Sequence, residues 1–585
     1  QKAHTPGLPP FGRAGVGVRF IINYKDLEEM KRKTLIRTGL LFMAAVLFTA
    51  CSSNDDNKEN NGTDDGKKVN IAKAVTFKVD FADYNAEQEV GVTRAGNQEE
   101  KIGQQVIGLG NRILAQCTLQ RDTTKQLQTI ATRALPDDTY TMLAYDHTTH
   151  AFCGAMSGTV TGGVFRYSSF GAIEIPAGTY DFVLFNSKVS RSGNLLTVTR
   201  ANAGDALIGR TTGKVIPASP QHQLVSFTMK HVAAKVKLKL TGYMGFSGIA
   251  ATLASVNATD VPSSSIYDAS TGTWSLGTGA AVSENITYGA NPETATLSET
   301  YTALSNKDLF FMPSTDISKL KLTFTAGGIY KLNIAGKNLP FVPTTTLQLD
   351  QNGSYVLNVN LIYRFLYLMS DGTTGLIDKT TFGGGTKTPI AVILSQSKRM
   401  AIALHDANGG NDINWSNSNR RSNTYSFFSL SDAIFNSPKS GYDETYNPSY
   451  TTVNVTGNKI KAYNPNFPAF GAAAGYYVPY TGSPALKWYL PSCSDFAKML
   501  TTLGFGSART DWPYKWYWGL ANTAFSQVGG TRIAPQSIYG GKGYWSSTEY
   551  NTNYAVDVNP NYGNLRFETN MGKRVWLYIR SFAKY

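Results

Sequence analysis

Residues 235–240 read Lys235-Val236-Lys237-Leu238-Lys239-Leu240, apolar and charged in strict alternation. Successive side chains of a strand point to opposite faces, so this run is a strand with one face buried and one in water. Val75-Thr76-Phe77-Lys78-Val79-Asp80-Phe81 and Tyr355-Val356-Leu357-Asn358-Val359-Asn360-Leu361 carry the same period. The stretches between them hold Thr161-Gly162-Gly163, Ser192-Gly193-Asn194 and Gln351-Asn352-Gly353, which suit antiparallel hairpins and sandwich loops. One helix is expected from Ile102 to Ala115. A mainly β fold follows.

At 585 residues the chain exceeds one core and should divide into three or four domains. Charged residues make up only 16% of it, the profile of an extracellular β-rich protein. The formal charge is +14, of which residues 95–585 keep +12. Spread so thinly, and without a polybasic run or zinc-finger spacing, that charge argues against nucleic acid as a partner. It is compatible with acidic polysaccharide. Tryptophan distribution changes after Leu361: seven of the eight, from Trp415 to Trp576, lie beyond it, with Trp274 alone before it. A boundary is placed near residue 362 and a softer one near 228.

From Met30 the chain reads as a lipoprotein signal peptide through residue 50. Lys31, Arg32, Lys33 and Arg37 form a charged segment, Leu40 to Phe48 an apolar one, and Thr49-Ala50 the small residues beside the scissile bond. Cys51 follows directly, and the arrangement resembles the bacterial lipobox, in which that thiol is acylated. Phe48 departs from the usual Leu. Residues 1–29 read as an upstream extension outside the fold, since a signal peptide acts from the N-terminus. Residues 51–72, polar and acidic, read as a disordered tether, and acidic residues just after the lipidated Cys resemble a surface-export signal of Bacteroidetes lipoproteins. No later stretch reaches membrane-spanning length, so lipid would be the only anchor in the outer membrane.

At Phe227-Thr228-Met229-Lys230-His231-Val232-Ala233-Ala234-Lys235-Val236 the sequence resembles the strand that opens the second domain of fimbrillin-family proteins, the pilins of Bacteroidales fimbriae. The lipobox, the tether, the strand at 75–81 and Thr93-Arg94-Ala95 fit that family in order, over residues 30 to about 361. The resemblance implies two transthyretin-like β-sandwich domains, 73–228 and 229–361. It further implies a cut after an Arg by a trypsin-like protease and polymerisation by strand donation between subunits. By position Arg94 and Ala95 flank the cut, and Val75, Phe77, Val79 and Phe81 are the apolar row of the displaced strand. Arg94 as a plain loop arginine is the competing reading.

Residues 362–585 differ. Pro389-Ile390-Ala391-Val392-Ile393, Trp488-Tyr489-Leu490-Pro491-Ser492, Tyr544-Trp545-Ser546-Ser547-Thr548-Glu549-Tyr550 and Tyr578-Ile579-Arg580-Ser581-Phe582 resemble the Fibrobacter succinogenes major paralogous domain, an α+β C-type-lectin-like fold. The closing segment lacks the Pro usual there. A globular domain in place of a terminal donor strand is expected of a subunit at the fimbrial tip, an adhesin for a host or bacterial surface glycan or protein. A lipid-retaining anchor subunit and a glycan-binding lipoprotein of a saccharide-uptake system are the alternatives.

No catalytic constellation stands out: the chain has no nucleophile elbow, HExxH or Walker sequence, and its six His residues are scattered. No cofactor is implied, calcium excepted: Asp406-Ala407-Asn408-Gly409-Gly410-Asn411-Asp412 is rich in oxygen ligands, with Asp406, Asn408 and Asp412 as candidates, although a solvated loop is favoured. Trp512-Pro513-Tyr514-Lys515-Trp516-Tyr517-Trp518 is the densest aromatic segment. Strand alternation would send Trp512, Tyr514, Trp516 and Trp518 to one face, where rings suit sugar faces or a core. Lys515, Arg509, Arg566, Lys573 and Arg574 could supply charge toward acidic glycans. His231 is expected to be a packed core histidine. Cys117 and Cys153 could form a disulfide with Cys493 left unpaired, or all three could be buried thiols.

Overall fold

The computed structural model describes residues 68–84, 101–110, 112–122, 135–168, 173–218, 223–292, 299–341, 347–424, 427, 429–436, 439–506, 514–533, 543–561 and 564–585. Cys51, Arg94, Ala95, Arg509 and Trp512 lie outside them. The chain is mainly β, as its alternation predicts.

The principal strands of the first half are β1 (Val75–Ala82), β2 (Lys101–Gly110), β3 (Ile113–Arg121), β4 (Tyr140–Asp146), β5 (Phe152–Thr161), β6 (Val164–Tyr167), β7 (Gly178–Asn186), β8 (Leu195–Thr199), β9 (Leu207–Ile216) and β10 (Gln223–His231). Seven of them close a barrel in the order β9-β10-β1-β6-β5-β4-β7. Its interior is apolar, with Phe77, Tyr140, Phe182, Leu184 and Phe227 among its buried side chains.

A second sandwich follows, built on β11 (Ala234–Gly242), β12 (Ser247–Ser255), β13 (Ser264–Asp268), β14 (Leu320–Ile329) and β15 (Ser354–Tyr363). Its first sheet runs β11-β15-β3-β2 beyond the strand Tyr301–Leu304, and its second pairs β12 with β14. The hairpin β2–β3 replaces the helix expected over Ile102–Ala115. Gly103, Gly108 and Gly110 each weaken a helix by about 1 kcal/mol relative to Ala, and Gly110 at φ 76° with Arg112 at φ 64° turns the chain back. Although it precedes most of the barrel in sequence, the hairpin pairs with β15, from Tyr355↔Arg121 to Tyr363↔Ile113. Sequence order therefore does not divide the two sandwiches, and β10 runs straight through residue 228; the change of sheet comes at Val232-Ala233.

Two further features join the sandwiches. Strand β8 pairs with β13, and Arg200 donates to the carbonyls of Val261, Pro262, Ala280 and Ala281 at 2.8–3.0 Å. Cys117 lies buried on β3 and Cys153 half-buried on β5; both are free thiols, as is buried Cys493. The disulfide reading is thus corrected: the two residues belong to different sheets.

The rest of the chain is α+β. Its elements are β16 (Leu366–Met369), β17 (Pro389–Ser395), β18 (Met400–Ala403), α1 (Gly441–Tyr446), α2 (Pro468–Ala474), β19 (Lys487–Tyr489), α3 (Cys493–Leu503), α4 (Trp518–Ser526), β20 (Tyr544–Glu549), β21 (Tyr554–Asn561), β22 (Asn564–Gly572) and β23 (Phe582–Lys584). The closing strand β23 pairs with β18 and β19, so the end of this region returns beside its beginning. Helix α3 starts on a capping box between Ser492 and Asp495, and Asp495 also accepts from Gly441 N at 2.9 Å, which ties the start of α1 to that of α3. One apolar cluster continues from the second sandwich into this region, with Tyr363 and Phe505 edge to face at 5.3 Å. Among the described residues no helix is long and apolar enough to cross a membrane.

Candidate functional site

Strand β1 fills a slot between β10 and β6. It runs parallel to β10 in unbroken register from Gln223↔Val75 to Lys230↔Ala82 and antiparallel to β6 through Phe77↔Phe165 and Lys78↔Val164. Val75, Phe77 and Val79 are buried, Phe81 is partly so, and Thr76 and Lys78 face water. The ring of Phe77 is the centre of the contact, 5.7 Å from that of Phe182, 6.3 Å from Phe227 and 6.4 Å from Phe165. These are edge and tilted arrangements of the kind aromatic clusters favour.

The sequence reading missed the residues on either side. Val69 and Ile71 enter the same core, held by the pairing Val69↔Ile175 and by Ile71 N on Ile173 O at 3.1 Å. Ahead of β1 their alternation is broken by a single helical turn capped by Asn70, so the period of two did not reveal them. At the other end Tyr84 stacks on His231, centroids 4.0 Å apart and planes 6° from parallel. Burial holds the His231 imidazole down at about 4, against a smaller opposing effect of Asp83, so it packs as a neutral ring.

In the second candidate, the aromatic segment of the C-terminal region, the side chains described are those of Trp516, Tyr517 and Trp518. The strand at its start covers only Tyr514–Lys515, and α4 begins at Trp518, which breaks the expected alternation. Trp516 and Trp518 are buried in the continuous core and offer no ring face to a sugar. Lys573 is corrected likewise: expected to meet acidic glycans, it is fully buried against the Glu549 carboxylate and donates to Arg420 O and Thr552 O at 2.9 Å. Glu549 in turn accepts from Ser422 N at 2.7 Å and Asn423 N at 2.6 Å. The whole strand β20 is interior, with Ser547 donating to Glu444, whose carboxyl burial pushes up to about 8.

What reaches solvent is a different set. Trp576 is 63% exposed and pairs with Asn414, Arg574 is exposed two residues before it, and Tyr554, 38% exposed, pairs with Gly572. Tyr550, also exposed, donates its N–H to Tyr554 O at 3.0 Å. Arg566 is exposed as well. In the oxygen-rich loop, the Asp406 carboxylate lies 2.8 Å from Arg580 Nε rather than open to a cation. Asn408 donates weakly to Asn411 O and Asp412 O. Among the described residues no three His, Cys, Asp or Glu are placed to hold a metal ion.

Residues 178–364 match the fimbrillin-like family model. The match runs from β7 to the end of β15, across both sandwiches. Solved structures similar to the chain include the following three. A fimbrial protein from Bacteroides ovatus is 11% identical, covers 88% of this chain and 99% of its own, and has a TM-score of 0.25. A tip fimbrial protein from Porphyromonas gingivalis is 12% identical over 39% of this chain and 92% of its own, TM-score 0.22. A fimbrial assembly protein from Parabacteroides distasonis is 10% identical over 41% and 91%, TM-score 0.24. No curated protein matches the chain. The fimbrillin-like match lies within residues 30 to about 361, the span over which the sequence resembles that family.

Proposed function

We propose that this chain is a fimbrial tip subunit that mediates adhesion, exported as an outer-membrane lipoprotein precursor through Cys51 and cut between Arg94 and Ala95. Removal of everything before Ala95 takes β1 away and opens the slot between β10 and β6. A strand from a neighbouring subunit then enters it, recovering backbone hydrogen bonds on both edges and refilling the pockets of Val75, Phe77, Val79 and Phe81. The observation that carries this reading is the seating of β1: an N-terminal strand, bonded on two sides, whose whole interior contribution is an alternating apolar row.

The lectin-like C-terminal region would carry the adhesive contact, with the exposed aromatic Trp576 and Tyr554 and the exposed cation Arg574 as its ligand groups. Mass spectrometry of the protein from its native cell surface tests the assembly step. A mature N-terminus at Ala95, together with immunogold label at the ends of sheared fimbriae, is the expected result. An acylated Cys51 retained on the mature chain would instead identify an anchor subunit, and absence from fibres a glycan-binding lipoprotein.

A further inference from the structure

The end of β1 meets a second receptor that the barrel does not supply. Past Phe81 the chain leaves the barrel, and Tyr84 enters the seam between the two sandwiches. There its ring lies flat on His231, at the end of β10, with Lys235 Nζ of β11 5.0 Å from its centroid and the Phe310 ring 6.3 Å away. Phe310 lies on the strand Leu309–Phe311, which pairs with β11. Asn352 closes the seam: its side chain accepts from His231 N at 3.0 Å and donates to Asp83 O at 3.1 Å. Asn352 holds φ at 57°, the left-handed conformation that Asn tolerates better than most residues, so the turn before β15 is shaped to present this amide.

Two properties separate this contact from ordinary packing. The receptor is assembled from both sandwiches, so it exists wherever they are docked and does not depend on β1. And the Tyr84 hydroxyl, though buried, has no hydrogen-bond partner, so the pocket recognises a ring and not a phenol. We propose that the His231–Lys235–Phe310–Asn352 seam is a specificity pocket of the strand-acceptor slot, selecting donor strands that carry an aromatic side chain three residues beyond the last barrel residue. The proposal rests on strand exchange as read above and names the partner by chemistry: a subunit whose strand has four alternating apolar residues, two further residues and then an aromatic ring. Lys235 adds a cation over that ring, an attraction that aliphatic side chains at the same place do not receive.

The test uses the full chain with a site-specific protease sequence inserted between Ala86 and Glu87. After nicking, the strand is exchanged in mild denaturant for dye-labelled peptides of residues 69–86, and affinity is read by fluorescence polarisation. The wild-type peptide and Tyr84→Phe should bind alike within about twofold, and Tyr84→Ala about tenfold or more weakly. In a nicked chain carrying His231→Ala the penalty of Tyr84→Ala should shrink to about twofold, the coupling expected of groups in direct contact. If Tyr84→Ala binds like wild type while Phe77→Ala does not bind, the slot accepts strands without reading the seam, and the inference falls alone. If the wild-type peptide never exchanges, or Phe77→Ala enters as readily, strand exchange itself falls and the inference with it.

Discussion

The barrel and the C-terminal region each hold a strand in their interior, and they hold it by opposite means. Strand β1 is fixed by backbone hydrogen bonds and apolar rings; its one ion pair, Lys78 with Asp80, is on the surface and contributes little. Strand β20 is fixed by charge. Glu549 at its end is buried against Lys573 and two backbone amides, and Ser547 within it meets buried Glu444. The first set of demands is met by backbone bonds and apolar side chains of suitable size, which more than one alternating sequence can supply. The second set is less permissive, because removing one member of a buried charged pair leaves the other without its partner. The difference teaches where the proposed strand exchange would meet the smaller obstacle: in the barrel, where no buried charge would be left without its partner.

The largest effect should come from breaking the charged arrangement. Lys573→Ala leaves Glu549 buried without a cation and should destabilise the C-terminal region by about 3–5 kcal/mol. Replacing both partners with apolar residues, Lys573→Met with Glu549→Leu, should recover much of that loss. Urea unfolding followed by tryptophan fluorescence reports on this region, since seven of the eight tryptophans lie in it. If the double variant were as unstable as the single one, charge pairing would not be what organises β20.

Next in size is the barrel. Phe77→Ala empties the centre of its aromatic cluster and should cost about 3–4 kcal/mol, whereas Thr76→Ala, one residue away on the wet face, should stay within about 0.5 kcal/mol. Equal effects at the two positions would contradict the one-sided seating of β1. Both are read by denaturant unfolding of the intact chain, with backbone amide exchange in β10 as the local probe.

A third expectation concerns pH. Asp557 is fully buried on β21, opposite Glu568 on β22; burial first and Glu568 second push its carboxyl up to about 7. An unfolded Asp titrates near 3.8. Between those values the folded state holds a proton that the unfolded chain has released, so this contribution to stability is complete below about pH 4 and is lost as pH rises toward 7. The slope is about 1.4 kcal/mol per pH unit at most. Asp557→Asn, which cannot ionise, should therefore gain on wild type as pH rises from 4 to 7, measured as thermal midpoints across that range. A constant difference would show that Asp557 keeps its ordinary titration.

How much of this was legible follows from where each signal lies in the chain. The alternation of β1, β11 and β15 is local, so period alone gave three strands and their buried faces. The hairpin β2–β3 misled because Ile102, Val106, Leu109 and Ile113 recur at helical spacing, while β15, which joins the hairpin to its sheet through β3, is more than two hundred residues away. Ser546, Ser547, Thr548 and Glu549 look like a polar surface run for the same reason: Glu444, Ser422 and Lys573, which make their burial possible, are distant in sequence. Tyr84 gave no signal, since its receptor comes from four separate segments.

The smallest stability effect is expected where the adhesive contact is proposed. Trp576→Ala removes a ring that is 63% exposed, so little buried area is lost and the thermal midpoint should move by less than about 2 °C. The same substitution should remove most of the binding to glycan arrays or to partner cells, because exposed aromatic side chains carry a large share of interface energy. Trp516→Ala is the control with the reverse signature: it opens a cavity in the continuous core and should cost about 3–5 kcal/mol. A Trp576→Ala protein that unfolds normally and still binds fully would move the ligand surface elsewhere on this region. In that case the contrast between a strand held by apolar rings and one held by buried charges would stand, and only the contact residues would change.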